Sequence, residues 1–373
     1  MQKEKLLNID LETGVMYTSI DMGCDPEFFL KEDNVICGSQ DLLNDNGITC
    51  TRGKVIRDGV QAELNPNPSF CREILCSNIK ECFLRLDLEM KQNNKNMNIC
   101  IEQTIIVPKE KFDKLDDKSK EFGCAISHNL YNKNTKITTN PKINRTRSAG
   151  GHIHLSCKSG GALKSIQNAE RMVPLLDLLV GNTCVLIDKD VSNKIRRKVY
   201  GKAGEYRLPK YGIEYRTLSN FWLNAYPLMS FVFGLARFAV QIELDSSPQK
   251  DYTKEILSRV DMKDVERAIN ENDFDLAYSN FNKIKDLIIR YGGDRKSDNR
   301  PLTNQNSINQ FEYFITKPLS HWFKMDPLKH WTTIGDRGNR KVGWETFSKI
   351  TIKAEMDKLL LSQSNKKILR VSE

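Results

Sequence analysis

The chain has 373 residues, with 57 Lys and Arg against 48 Asp and Glu and a formal net charge of +9. It is 39% hydrophobic and 28% charged, with a mean hydropathy of −0.51; this excludes a disordered chain and leaves one large or two ordinary domains with a sizeable core. No run of about 18 uncharged apolar residues occurs, since the nearest, Leu228 to Val240, is shorter and carries Arg237. No membrane partner is expected. The N-terminal Met-Gln-Lys-Glu-Lys leads into no apolar stretch or cleavage site, so a signal peptide is not expected and a cytoplasmic location is.

The positive excess raises nucleic acid as a partner. The basic runs, Lys194 to Lys198 and Arg145 to Arg147, are short, and such runs are commonly solvated faces. There are ten cysteines and none forms a CxxC pair. They read as reduced thiols, mostly small core residues, and a cysteine-based zinc site has no support.

In chain order, Thr18–Leu30 reads as a strand entering a polar turn at Lys31–Asn34. Val55–Asn65 reads as a hairpin or strand about Asp58-Gly59. Ser69 is expected to cap a helix whose apolar positions (Ile74, Leu75, Ile79, Cys82, Phe83, Leu86, Met90) keep helical spacing. Asn98–Val107 reads as one apolar strand ending at Pro108, Lys109–Gly123 as helix or loop, and Ile126–Arg147 as an extended loop. Gly150–Cys157 is a strand. Ser165–Asp188 is a helical pattern interrupted near Pro174, Val191–Gly204 is basic and loop-like, and Glu205–Leu218 is two short strands about Lys210-Tyr-Gly212. Helices are expected over Leu228–Leu244, Tyr252–Ile269, Phe274–Tyr291 and Thr351–Leu361. The expected division is a sheet-based core over 1–227 and a mainly helical region over 228–373, separate or continuous with it.

Four segments place polar residues two apart in a strand-like context: Asp25-Pro-Glu27, Glu63-Leu-Asn65, His152-Ile-His154 and Glu214-Tyr-Arg216. In a strand such pairs share a face. The spacers Leu64, Ile153 and Tyr215 suit the opposite, packed face. Any half-solvated strand alternates in this way, but here glycines flank the dyads: Gly23, Gly59 and the Gly150-Gly151 pair. Glycine beside charged strand positions marks close approach of a backbone or ligand. Converging carboxylates repel one another and require cations. Oxygen ligands with an imidazole suit Mg²⁺ or Mn²⁺, and two such ions facing arginines are equipped to handle ATP phosphates. Zinc on His152 and His154 is the alternative metal reading. No Walker A loop, GxSxG elbow or kinase signature is present.

The motifs Gly-Cys-Asp-Pro-Glu (23–27), Asp-Gly-Val-Gln-Ala-Glu-Leu-Asn-Pro (58–66), Gly-Gly-His-Ile-His-Leu-Ser (150–156) and Glu-Tyr-Arg-Leu-Pro-Lys-Tyr-Gly-Ile-Glu-Tyr-Arg (205–216) together resemble carboxylate–amine ligases of the glutamine synthetase/glutamate–cysteine ligase superfamily, in particular the phage phiEco32-like COOH·NH2 ligases. The resemblance spans about residues 20–220. It implies an α+β fold in which an antiparallel sheet curves into a half-barrel with helices packed outside. It implies two or three divalent ions, Mg²⁺ with Mn²⁺ as the alternative, between ATP and a substrate carboxylate. Asp25, Glu27, Glu63, His152 and Glu214 resemble the metal ligands, and His154 the second histidine of the H-x-H pattern. Arg207 resembles the arginine that meets ATP phosphates, and Arg216 the one that stabilises transferred phosphate. Glutamine synthetases carry a further carboxylate before the Glu63 position at a different spacing, for which Asp58 is the substitute available. Asp58, Asn65, Arg197, Gly150 and Gly151 are the remaining candidates toward ATP or substrate.

The reaction so implied joins a carboxylate (of an amino acid, peptide or macromolecule) to an amine at the expense of ATP, through an acyl phosphate. Glu27 and Glu214 are expected to be exposed cleft carboxylates. The C-terminal helices, or the loop 126–147 with Arg145 and Arg147, are candidates to cover the site. Rival readings are a nucleic-acid-binding or virion-associated protein and a phosphotransferase on the same fold. The phage-type resemblance implies modification of a peptide, cell wall or macromolecule and, for a phage-encoded chain, residence in host cytoplasm; it names neither substrate and no oligomeric state.

Overall fold

A computed structural model describes residues 8–9, 16–17, 20–93, 96–122, 127–132, 140–157, 163, 165–293 and 311–334. The helix expected over Thr351–Leu361 lies outside the described residues. The fold is α+β: antiparallel strands form a strongly curled half-barrel, and helices pack against it.

Strands β1 (Asn8–Ile9) and β2 (Met16–Tyr17) form a separate ribbon. The single strand expected over Thr18–Leu30 is two, β3 (Ile20–Cys24) and β4 (Glu27–Glu32). Pro26 has no N–H to give to a ladder, so regular pairing stops at Asp25-Pro26 and the two halves enter different sheets. Around β4 gather β5 (Val35–Cys37), β6 (Ile48–Cys50), β7 (Gly53–Asp58), β8 (Gln61–Pro66) and β9 (Met97–Cys100), in the order β5-β4-β8-β7-β6 with β9 also on β4. The expected hairpin is β7–β8, turned at Gly59, whose φ of +60° favours glycine. The run Asn98–Val107 also divides, into β9 and β10 (Thr104–Ile106). The segment read as an extended loop contributes β11 (His128–Asn129) and β12 (Thr146–Ser148), and β12 pairs with β10. With β13 (Ile153–Cys157), β14 (Glu205–Arg207) and β15 (Gly212–Tyr215), the second large sheet runs β11-β14-β15-β13-β3.

Helix α1 (Arg72–Gln92) buries Leu75, Ile79, Cys82, Phe83, Leu86 and Met90, while Ile74 is exposed. Its N-cap is Cys71 and not Ser69; the Ser69 hydroxyl accepts the Cys71 N–H and shapes the turn before the helix. Short helices α2 (Lys109–Asp113) and α3 (Asp117–Lys120) follow. Then α4 (Ile166–Leu176), a π-helical stretch Asp177–Asn182 and α5 (Thr183–Val185) form one path. Pro174 does not end it; the helical path continues past the proline into the wider π-helical turn. The basic segment read as loop-like contains α6 (Asn193–Val199).

Beyond it come α7 (Tyr226–Asp245), α8 (Tyr252–Leu257), α9 (Met262–Asn270) and α10 (Phe274–Gly293), and then the short helices Leu319–Trp322 and Pro327–Thr333. The helix expected over Tyr252–Ile269 is thus two; Asp261 caps the second by accepting the Lys263 N–H. By length and composition α7 is the one described helix that could cross a membrane, but most of it is buried against α1, α4, β3 and β13. One hydrophobic cluster runs from Ile20 and Met22 on β3, through α1, α4 and α7, to Trp331. None of the nine described cysteines forms a disulfide.

Candidate metal centre

Alternation along β8, β13 and β15 sorts two kinds of side chain. Leu64, Ile153 and Tyr215 are fully buried on the packed face. The intervening residues turn to the other face, and antiparallel register brings them together: His154 opposite Glu214, Glu214 opposite Arg207, and Glu63 opposite Glu27.

The first group is Asp25, His152 and Glu214, whose ligand atoms all lie within 4.8 Å of one another. His152 Nδ1 is 3.0 Å from Asp25 Oδ1 and 3.6 Å from Glu214 Oε1, and His154 Nε2 is also 3.0 Å from Asp25 Oδ1. Arg207 donates Nε to Glu214 Oε2 at 2.8 Å and a second N–H to Oε1 at 2.7 Å, the bidentate fit of guanidinium to carboxylate. Arg216 donates to the same Oε1 at 2.5 Å. Burial works against the charge of Asp25, yet His152 and His154 hold its carboxyl well below the usual range. Burial also opposes Glu214, but the Arg207 hydrogen bonds and the His152 charge lower it.

The second group is Glu27, Asp58 and Glu63, again within 4.8 Å of one another. Glu27 Oε2 accepts the Gly150 N–H at 2.8 Å and Gln61 Nε2 at 3.3 Å, and Oε1 accepts Tyr200 Oη at 3.2 Å. Asn65 donates to Glu63 at 2.5 Å. Burial first, then the charges of Glu27 and Asp25, push Asp58 up to about 8. Burial with Asp25, Asp58 and Glu27 likewise pushes Glu63 well above its ordinary value. Asp58 Oδ2 is buried with no hydrogen-bond partner among the described residues. Three carboxylates held in this way, one with an unpartnered buried oxygen, form a donor set that fits a hard divalent cation.

The groups adjoin. Asp25 and Glu27 flank Pro26 at the junction of the two sheets, and the Tyr200 hydroxyl touches both Glu27 and His152. The Gly150-Gly151 pair is required by crowding: a Cβ on Gly150 would lie 2.4 Å from both His152 Nε2 and Tyr200 Oη, and one on Gly151 would lie 2.3 Å from the Ser219 carbonyl. The close approach inferred from these glycines is therefore that of the protein's own side chains.

Of the residues singled out in the sequence, Asp25, Glu27, Asp58, Glu63, Asn65, His152, His154, Arg207, Glu214, Arg216 and Gly150 come together here. Arg197 does not: it donates to Asn272 Oδ1 and faces Asp188 and Tyr215 on the helical side of the sheet. Glu27 and Glu214 are not exposed, being 0% and 3% accessible, because Tyr200 and Gln61 cover the first and Arg207 and Arg216 the second. Arg147 is likewise buried, donating to the carbonyls of Lys120, Pro141, Asn144 and Thr146.

Sequence patterns missed Tyr200, Gln61 and Tyr211. Gln61 was within reach, two residues before Glu63 on the same strand face. Tyr211, whose ring stacks on His154 and whose hydroxyl is 2.5 Å from His154 Nδ1, lies in the turn between two recognised strands. Tyr200 follows α6 and has no periodic signature. It is set in place by Arg196, which donates to the carbonyls of Ala149, Thr217 and Leu218.

Fold and site define a class: a curled antiparallel half-barrel carrying two adjacent acid-rich ligand groups with arginines converging on one of them. Residues 124–288 match the family model described as phage phiEco32-like COOH·NH2 ligase-type 2, the family that the four motifs resemble. The match contains His152, His154, Arg207, Glu214 and Arg216, whereas Asp25, Glu27, Asp58 and Glu63 precede it. No curated protein matches the chain.

Proposed function

We propose that the protein is an ATP-dependent carboxylate–amine ligase that works through an acyl phosphate. The observation that carries this reading is the pairing of two acid clusters across Asp25-Pro26-Glu27 with Arg207 and Arg216 converging on Glu214.

Asp25, His152 and Glu214 would hold one divalent ion, and Glu27, Asp58 and Glu63 another, Mg²⁺ or Mn²⁺ by donor type. Bound there, the ions supply positive charge that offsets repulsion between ATP phosphates and a substrate carboxylate. The chain's own groups do the rest. Arg207, one-third exposed at its side chain, reaches from Glu214 toward solvent and suits an incoming phosphate. Arg216, fully buried, fixes a positive charge beside the reacting centre. His154, held between Asp25 and Tyr211, orients the Asp25 carboxylate. The substrate carboxylate attacks the γ-phosphate, ADP leaves, and the amine then displaces phosphate from the acyl carbon. Holding the reactants in line and away from water is the main demand on the protein.

Of the two basic runs, Arg147, Arg196 and Arg197 are buried and Arg145, Lys194 and Lys198 exposed, so a nucleic acid would meet about half of the charge that the sequence offers there. The test is phosphate release from Mg²⁺-ATP with pooled amino acids and peptides. Release that needs both a carboxylate and an amine supports the ligase. Phosphoryl transfer without amine would replace it by a phosphotransferase, and no turnover with salt-sensitive DNA binding would overturn both.

A further inference from the structure

Two stretches of the chain share a charge pattern. From Phe122 to Ala169 there is no Asp or Glu against seven Lys and Arg, and from Val191 to Gly204 again none against five. The fold brings both stretches against one cavity of about 220 Å³, the first through Arg147 and the second through Lys198. No carboxylate lines this space among the described residues. Phe122, Ile195 and Val199 give it an apolar wall. Gln61 and Tyr200, which also line it, donate to Glu27, so the cavity and the second ligand group share a wall.

Arg147 is 1% accessible. Its two terminal nitrogens donate to the carbonyls of Lys120, Pro141, Asn144 and Thr146, and its guanidinium lies over the rings of Phe112 and Phe122. Its Nε is buried with no hydrogen-bond partner, and no carboxylate pairs with it among the described residues. Carbonyl dipoles hold a guanidinium in place without cancelling its charge, and a buried charge that lacks a counter-ion is costly. Burial accordingly pushes Arg147 down to about 10. Lys198, exposed on α6, also forms no ion pair among the described residues. What this cavity lacks is an anion. A bare inorganic anion would leave Phe122, Ile195 and Val199 in water, whereas an organic one covers them.

We propose that this cavity binds an organic anion with an apolar body, its charge facing Arg147 and Lys198 and its body covering Phe122, Ile195 and Val199. The reacting carboxylate of a ligase belongs at the two ligand groups, beyond the wall formed by Gln61 and Tyr200, so the anion seated here is a second one. Its role, though not its binding, rests on the ligase reading. On that reading the acid substrate carries two anionic groups joined by an apolar chain: one reacts, and the other anchors the molecule in the cavity.

The test is ligand-observed NMR titration of the Mg²⁺-supplemented protein with hexanoate, n-hexylamine and hexan-1-ol, which share a chain and differ in charge. Hexanoate should bind about tenfold more tightly than either of the others, and about tenfold more tightly than acetate. Val199→Trp fills the cavity and Lys198→Glu reverses the charge at its rim. Both positions are exposed on α6, and circular dichroism checks that the variants fold. Arg147 is left in place, because four carbonyls depend on it. Val199→Trp should weaken hexanoate about tenfold, and Lys198→Glu about fivefold. Hexylamine or hexanol binding as tightly as hexanoate overturns the proposal, as does hexanoate binding that neither substitution changes. Displacement of hexanoate by ADP also overturns it and gives the cavity to the nucleotide. In turnover with hydroxylamine as the amine, the di-acid suberate should exceed hexanoate in kcat/KM by about tenfold, an advantage that Lys198→Glu reduces; equal values overturn the anchoring role. If hexanoate binding follows the cavity but no acid supports turnover, the ligase reading fails while the anion site stands.

Discussion

Glu27 is the carboxylate with the most to lose from substitution. It is inaccessible to solvent, and both its oxygens already accept hydrogen bonds from Gly150, Gln61 and Tyr200. Glu27→Ala would strand three buried donors, so the informative change is Glu27→Gln, which keeps the shape and removes the charge. Glu27→Gln and Glu214→Gln should each lower ATP turnover by about 10²–10³-fold, with Glu27→Gln melting within a few degrees of the native protein. A coupled ADP assay beside a thermal melt checks this, and a variant with full turnover would remove that residue from the site. At this scale the sequence exposed much. Polar pairs two apart with apolar spacers mark side chains that share a face, and that geometry is local. It could not expose burial. Glu27 and Glu214 look like cleft residues until Tyr200 and Arg207, 173 and seven residues away along the chain, close over them.

Among the elements, the carriers of the site are short, and two of them were hidden. Helix α6 has three basic residues in its last turn and exposed Ile195 and Val199, so its composition resembles a solvated loop. It stands because buried Arg196 donates to three backbone carbonyls at 2.7–3.0 Å. Arg196→Met should cost about 3–5 kcal/mol in urea unfolding, since it leaves those carbonyls orphaned, and a loss near zero would show that the helix needs no such anchor. The break between β3 and β4 was half-visible, because Pro26 announced it, but only the tertiary fold assigns the halves to different sheets. Behind β15, the buried Asp177 accepts hydroxyl groups from Tyr215 at 2.7 Å and Tyr131 at 2.9 Å. Burial outweighs these bonds and raises its carboxyl from 3.8 to about 7. The folded protein therefore keeps a proton there that the unfolded chain has lost above pH about 4. Stability from this group is fully present below that pH and is lost as pH rises through about 7. Asp177→Asn should gain on the native protein over that interval when unfolding is measured in steps of pH; parallel profiles would contradict the assignment.

For the molecule as a whole, the charge of +9 suggested a basic protein in search of an anionic polymer. Part of that charge is spent internally, on carbonyl groups and on Glu214, while the carboxylates of the site are left in excess. Mg²⁺ should therefore stabilise the protein, by about 2.7 kcal/mol at a hundred times its dissociation constant. EDTA should reverse the gain in Tm, and Glu63→Gln should shrink it; a Tm indifferent to Mg²⁺ would contradict the metal reading.

The junction at Asp25-Pro26-Glu27 gives one chain segment a grip on both ligand groups. Two residues of chain reach at most about 7 Å, so the backbones that carry the two carboxylates cannot part whatever else the sheets do. The segment works as a ruler laid across a fold line. Any change in the angle between the sheets must alter how the two ligand groups face each other, since their first members cannot separate. If each group takes a Mn²⁺ ion, the dipolar coupling between the two would report their separation, and a ligand that draws the groups together would register as a stronger coupling without any labelled side chain.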